Sequence, residues 1–211
     1  MTAITVVGGT GYAGAAIVTE AARRGHTVTA ISRTAPGTQA EGVDYVTGDL
    51  TQSVPDIAGG EVVVAALSPR GDNAGRLRDA YRSLAQAAAT NGARFVAIGG
   101  FSSLRPAEGA PRFVEGGDLP PEFAAEAREM NDILADLATG SVDVDWLFVS
   151  PAAEFGSHVP GEALGRYRVS GEVALFDQDG KSAISGADFA RAVLDEIETP
   201  THHRAQIHFA Y

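Results

Sequence analysis

Three glycines recur at a spacing of three in VVGGTGYAGAAI, which runs from Val6 to Ile17: Gly8, Gly11 and Gly14. A short β-branched run, Ala3–Val7 (AITVV), precedes them. A helix-like stretch, Tyr12–Arg24, follows and is stopped by Gly25. Each glycine has a separate reason to be there. Gly8 permits a tight turn off the strand. Gly11 keeps a Cβ away from backbone N–H groups that approach an anion. Gly14 lets the helix pack closely. The helix N-terminus then offers its positive dipole end to a doubly negative group such as a pyrophosphate. An ordinary glycine-rich turn is the bland alternative, but strand before and helix after are the context a dinucleotide site requires. The spacing is GxxGxxG instead of GxGxxG, which points to one branch of that fold.

The rest of the chain repeats the alternation. Strands are predicted at Thr27–Ser32 (TVTAIS), Val43–Thr47, Glu61–Ala66 (EVVVAA), Arg94–Gly99 (RFVAIG) and Asp145–Val149 (DWLFV). Helices are predicted across Asn73–Thr90 and Pro121–Ala138. The strands are continuously apolar, the pattern of a parallel sheet buried on both faces. Strand–helix alternation then implies right-handed crossovers and a Rossmann-type doubly wound α/β fold. The tail reads differently. Arg166–Ser170 and Val173–Phe176, separated by Gly171, look like a small antiparallel addition. Asp-Gly in DQDGKS marks a turn. Ser185 and Asp188 resemble a capping box ahead of a helix to about Ile197, and Gln206–Phe209 reads as a last strand. The Pro/Gly-rich stretch Arg105–Pro121 is a candidate mobile lid after the fifth strand.

The chain has 211 residues, suited to one domain over 1–211 whose tail, 151–211, completes the substrate side. Net charge is -11, with 27 acids against 16 bases, which disfavours nucleic acid or an anionic membrane as partner. An anionic ligand would need a locally organised site, and amides at a helix start supply one. Cysteine is absent, which excludes disulfides and thiol catalysis and fits a reducing cytoplasm. No signal peptide is expected, and no apolar run approaches the ~18 residues of a membrane span. Without a dedicated dimer pattern, a monomer or weak dimer is the default expectation.

Cofactor choice is read at the end of the second strand. An Asp or Glu there holds the ribose hydroxyls of NAD. This chain reads Ile31-Ser32-Arg33-Thr34. Arg33 is placed to pair with a 2′-phosphate, which favours NADP(H) over NAD(H); the alternative is a solvated loop base. Asp49, in Gly48-Asp49-Leu50, is placed to accept from an adenine amino group or, equally, to cap a turn.

With GGTGYAG, SRT, GDL, VAIGGFSSL, DVDWLFVSPA and ISGADFA in one order, the chain resembles the atypical short-chain dehydrogenases/reductases. It is similar to their small NAD(P)H-binding group of NmrA-like, biliverdin reductase B and NADH-flavin reductase proteins. The resemblance covers almost the whole chain. It implies cofactor contacts at Gly8, Thr10, Gly11, Tyr12, Ala13, Arg33, Asp49, Leu50, Ala66 and Leu67. It would place nicotinamide near Pro69, Ser102 and Ser150-Pro151-Ala152, so Pro151 joins the cofactor set.

One departure narrows the chemistry. The wider superfamily uses a Tyr-x-x-x-Lys pair on the helix after the fifth strand. Here the only lysine is Lys181, and none of Tyr12, Tyr45, Tyr81, Tyr167 or Tyr211 is followed four positions later by lysine. Phe123 and Ala127 fall in that register. Carbonyl reduction needs a timed proton at oxygen. A flavin or quinone is less demanding, because a delocalised acceptor can take its proton from water. The expected activity is therefore NAD(P)H-dependent hydride transfer to a planar small-molecule acceptor, resting on proximity and orientation. Ser102, the candidate catalytic residue, or Ser103 would orient the acceptor; a plain strand-end turn is the alternative. Tyr167 would stack on the acceptor or, more simply, pack. A non-catalytic NADP(H) sensor is the second reading and a sugar-nucleotide epimerase or dehydratase the third. His26, His158, His202, His203 and His208 form no metal motif. Asp177 and Asp179 beside Gly180 lack the rest of a calcium loop. A G-x-S-x-G elbow is missing, and Trp146 reads as core.

Overall fold

The structure, a computed structural model, describes residues 1–117 and 119–211. Asp118, inside the expected lid, lies outside the described residues. The expected strands and helices form, in chain order β1 (Ala3–Val7), α1 (Tyr12–Arg23), β2 (Thr27–Ser32), β3 (Val43–Thr47), β4 (Val62–Ala65), α2 (Leu77–Thr90), β5 (Arg94–Ile98), α3 (Pro121–Ala138), β6 (Trp146–Ser150), β7 (Arg168–Ser170), α4 (Gly186–Glu198) and β8 (Ala205–Ala210). They join one sheet in the order β3-β2-β1-β4-β5-β6-β8-β7. All pairings are parallel except β7 with β8. The doubly wound α/β architecture with a small antiparallel addition is therefore the observed fold.

Alternation along each strand splits the core into two layers. Ile4, Val6, Val64, Val96, Leu147 and Ile207 face α1 and α4, packing on Ile17, Val18, Phe189 and Val193. Val7, Val63, Ala65, Phe95, Ala97 and Phe148 face α2 and α3, packing on Leu77, Leu84, Met130 and Ile133. Burying each such side chain contributes about 1.5–3 kcal/mol, so neither helix layer is dispensable. Trp146 is in the second layer, as expected.

Local chemistry sets the ends. The Ser185 hydroxyl accepts from the Asp188 N–H and starts α4. The reciprocal half of the box is not made. The Asp188 carboxylate turns instead to the Leu164 and Gly165 N–H groups, and the Ser185 N–H donates to the Tyr211 hydroxyl. The second helix starts later than Asn73, because Gly71 and Gly75 both adopt positive φ and break the helical path.

The tail needs a correction. Arg166–Ser170 and Val173–Phe176 do not pair with each other. Arg168–Ser170 pairs with β8, and Val173 makes a single bridge to Arg105. The backbone of 172–174 is taken by Arg105, whose N–H donates to the Glu172 carbonyl at 2.7 Å while its carbonyl accepts from Ala174 at 2.9 Å. No hairpin can form from groups already used. The described part of Arg105–Pro121 is also tied down, through Arg105 and Arg112 to Glu172.

Candidate nicotinamide-nucleotide site

The glycine turn leaves β1 where its backbone must fold sharply. Gly8 has φ +87, and its N–H donates to the Ile31 carbonyl at 2.8 Å. A Cβ on Gly8 would lie 2.4 Å from the Ala66 carbonyl oxygen, so the turn and the end of β4 touch only because the residue is glycine. A Cβ on Gly14 would lie 2.1 Å from the Gly8 carbonyl oxygen, so α1 seats directly on the turn. Gly11 is different. It caps α1 in extended backbone, and a Cβ there meets only ordinary contacts, Gly8 O at 3.4 Å and Ala66 O at 3.8 Å. No side chain caps the helix start. Its first N–H groups are left for an external acceptor.

That helix start opens into a cleft of about 590 Å³ at the C-terminal ends of β1, β4, β5 and β6. Gly11, Tyr12, Ala13, Ala66, Leu67, Pro69, Ser102 and Pro151, all expected from sequence, line it. The remaining expected residues are placed as follows. Gly8, buried, underlies the turn, and Thr10 is exposed beside it. Ser150 lies beneath the floor, its hydroxyl accepting from Gln206 at 3.0 Å. Arg33 stands exposed after β2, and one nitrogen lies 3.3 Å from Asp72. Asp49 closes its own turn, accepting from the Thr51 N–H at 2.9 Å and hydroxyl at 2.7 Å and from Gln52 at 3.1 Å. These bonds, with Arg33 nearby, hold its carboxyl below the usual range. Leu50 is a core side chain. Tyr167 packs: its ring meets Phe209 edge-on and its hydroxyl bonds Asp195 at 2.7 Å.

Tyr81 supports the cleft from below. Its buried hydroxyl accepts from the Leu67 N–H at 3.2 Å and donates to the Ala65 carbonyl at 3.2 Å, pinning the end of β4. Burial pushes this phenol well above its ordinary value, so it stays protonated and structural. Tyr12 joins α1 to the tail. Its hydroxyl donates to the Pro160 carbonyl and accepts from the Gly186 N–H.

A family described as NAD(P)H-binding matches residues 8–200, from the first glycine to beyond α4. The chain belongs to this NAD(P)H-binding family. Among relatives, an uncharacterized protein of Bacillus subtilis, YwnB, is 33% identical over 202 residues, covering 94% of this chain and 93% of that one. Two solved structures share the fold over their whole length. SP1627 from Streptococcus pneumoniae, described as a proposed NADH-flavin reductase, is 33% identical with a TM-score of 0.89, covering 100% of this chain and 99% of that one. A proposed epimerase from Bacteroides thetaiotaomicron is 28% identical with a TM-score of 0.87, covering 100% and 98%. The uncapped start of α1 and the glycine turn before it both fall within the matched residues.

Several cleft residues were not singled out as site residues from the sequence. Arg70, Phe155 and His158 line the cleft from loops, and Glu126 and Met130 line it from α3. Arg70 pairs with Glu126 at 2.7 Å and lies over the Phe123 ring. One signal was available for α3. Phe123, Ala127 and Met130 recur at i, i+4 and i+7, which puts them on one helix face. The loop residues carried no such periodicity. Among the described residues, no cluster of His, Cys, Asp or Glu could hold a metal, and no helix is long and apolar enough to cross a membrane.

Proposed function

We propose that this NAD(P)H-binding protein is a reductase, NADPH-preferring, that passes hydride to a planar acceptor such as a flavin or quinone. The observation that carries the reading is the face of α3 turned to the cleft. Phe123 and Ala127 stand where a proton-donating Tyr/Lys pair would be, both on the cleft wall. Phe123 and Ala127 supply no tyrosine or lysine proton, and beside the Arg70–Glu126 pair they give a flat ring a surface to lie on. Phe101 and Phe155 extend that aromatic lining. Bound NAD(P)H would supply the hydride. The chain's own residues orient. Tyr12 and Ala13 would present backbone N–H groups to the pyrophosphate, while Gly11, whose own N–H goes to the Gly8 carbonyl at 3.0 Å, would keep the approach free of a side chain. Ala66, Leu67, Pro69 and Pro151 would flank the nicotinamide. Ser102 would hydrogen-bond the acceptor and fix its angle. The proton that balances the reduced acceptor comes from water. The description of the pneumococcal relative as a proposed NADH-flavin reductase supports the flavin acceptor, though it names NADH and not NADPH.

Arg33 would supply NADPH preference. Its contact with Asp72 is between two exposed groups and is worth at most about 1 kcal/mol. A 2′-phosphate can displace Asp72 at that small cost and gain a charge-assisted bond worth about 1.5–3 kcal/mol. Arg33→Ala should therefore weaken NADPH about 10- to 100-fold and NADH by less than about threefold. Equal losses for the two cofactors would remove the 2′-phosphate role.

The deciding experiment adds FMN, riboflavin and a simple quinone to the purified protein with NADPH or NADH, following the reduced-nicotinamide absorbance. Turnover supports the reductase. Tight binding without reduction of any acceptor favours an NADP(H) sensor instead. Absence of binding overturns both.

A further inference from the structure

β8 is built unlike the strands beside it. Ile207 and Phe209 face the α1/α4 layer as their neighbours do. On the opposite face, where β4, β5 and β6 place Val63, Ala65, Phe95, Ala97, Trp146 and Phe148, β8 places Gln206 and His208. Both are buried. A buried polar side chain costs about 1–3 kcal/mol unless it is bonded, so these two must be spoken for.

The partners of Gln206 converge on one short turn; His208 is bonded through Nδ1 alone, and its buried Nε2 has no hydrogen-bond partner among the described residues. Phe101–Ser103 is a single 3-10 turn just beyond the end of β5, and all three of its residues line the cleft. Gln206 Nε2 donates to the Ser103 carbonyl at 3.2 Å and to Ser150 Oγ at 3.0 Å. Gln206 Oε1 accepts from Arg112 Nη1 at 2.6 Å. Arg112 Nη1 also donates to the Ser103 carbonyl, and its Nη2 is held by Glu172 at 2.8 Å. The Ser103 carbonyl thus has two side-chain donors that also bond each other. His208 binds the Ser150 carbonyl through Nδ1 at 2.9 Å and sets its ring edge-on to Phe101, centroids 6.2 Å apart. Burial holds its pKa below the ordinary histidine value, which favours the neutral ring.

We propose that Gln206 and Arg112 are positioning residues that clamp the Ser103 carbonyl and so fix Phe101 and Ser102 against the acceptor. The proposal rests on the reading that the acceptor lies at this turn. Neither residue lines the cleft; Arg112 reaches it through the turn, and Gln206 reaches it through the turn and through Ser150 Oγ, beneath Pro151. The clamp touches no part of the Gly8–Gly14 turn. Cofactor binding should be indifferent to its Arg112 half, which leaves the Ser150 contact intact.

The test is Gln206→Leu, which keeps the volume and removes all three bonds, alongside Arg112→Lys, which keeps the charge and loses the fork. Amide hydrogen exchange at residues 101–104 should quicken at least about tenfold in both, with exchange at 8–14 unchanged. The acceptor KM should rise at least about tenfold in both, and in Arg112→Lys the NADPH Kd should stay within about twofold. Unchanged exchange at the turn, or KM and Kd moving together in Arg112→Lys, would overturn the proposal. If Gln206→Leu fails to fold, Arg112→Lys decides. If the wild-type protein oxidises no NADPH in the presence of FMN, riboflavin or the quinone, the reductase reading is overturned, and exchange at 101–104 then still decides whether the clamp exists.

Discussion

Gly11→Val should lower the affinity for NADPH and NADH alike by at least about 100-fold while the protein stays folded. Two backbone bonds to a charged pyrophosphate are worth about 1.5–3 kcal/mol each, and a side chain between donor and anion forfeits both. The fold tolerates the change. Gly11 sits at φ -73 and ψ 170, extended backbone that valine adopts readily. A Cβ there comes no nearer than 3.4 Å to another atom. Isothermal titration with both cofactors and a urea melt measure the two halves separately. Retained affinity would sink the pyrophosphate assignment. Gly14→Ala makes the contrast. Its Cβ would lie 2.1 Å from the Gly8 carbonyl oxygen, so the turn must shift. That overpacking should cost about 1–3 kcal/mol of stability and disturb binding as well. A urea melt of Gly14→Ala matching wild type would show that α1 does not seat on the turn as described.

The second large effect lies at the far edge of the sheet. Glu196 of α4 is buried, and its carboxylate accepts from the Thr201 N–H at 2.9 Å, the Thr201 hydroxyl at 2.7 Å and the His202 N–H at 2.9 Å. Buried Arg94, at the start of β5, lies 3.4 Å from it. Burial works to raise the Glu196 pKa. The bonds from His202 and Thr201 outweigh it and bring the pKa down to about 2. A folded-state pKa below the ordinary 4.5 stabilises the protein above that value, and the contribution is lost as pH falls from 4.5 to about 2. Glu196→Gln should therefore cost about 3 kcal/mol at pH 7, with the gap from wild type closing across that acid window. Urea unfolding at pH 7, 5, 4 and 3 reads both. A gap that stays constant with pH would show that the carboxylate charge is not what stabilises. NADPH affinity should not change, because β5, β6 and β8 begin at this edge and the cleft lies at the opposite ends of the strands.

Much of the cleft lining around the start of α1 could be read from residues alone. The glycine turn, the apolar strands and the Ser185 cap depend on neighbours within a few positions or on the period of one element. Phe123 and Ala127 were legible for the same reason, since a helix repeat carries a position along α3. Arg33 and Asp49 were found as candidates, but the contact of Arg33 with Asp72 was not. Asp72 follows a different strand and carries no pattern that links it to β2.

The tail shows where local reading stops. Gly171 between two short runs suggests a hairpin, yet the backbone of 172–174 is satisfied by Arg105, and β7 turns to β8. Choosing between two sets of backbone partners is a matter of which strand arrives alongside, and that depends on the whole sheet. The polar face of β8 is a second case. Gln206 and His208 alternate with Ile207 and Phe209, which by itself suggests one face in water. The structure buries both faces.

By itself, then, the sequence determined a doubly wound sheet of parallel strands and an uncapped, glycine-led helix start, with no Tyr/Lys pair on α3. These follow from spacing, period and residue type, which act over one turn or one strand. Only the tertiary structure decided which side chains close the cleft and what holds them. Gln206 meets Ser103 across 103 positions of chain and Arg112 across 94. Contacts of that span obey no local period. They exist because the sheet brings the ends of β5, β6 and β8 side by side, where a buried polar group must find its partner or remain unpaired at a cost.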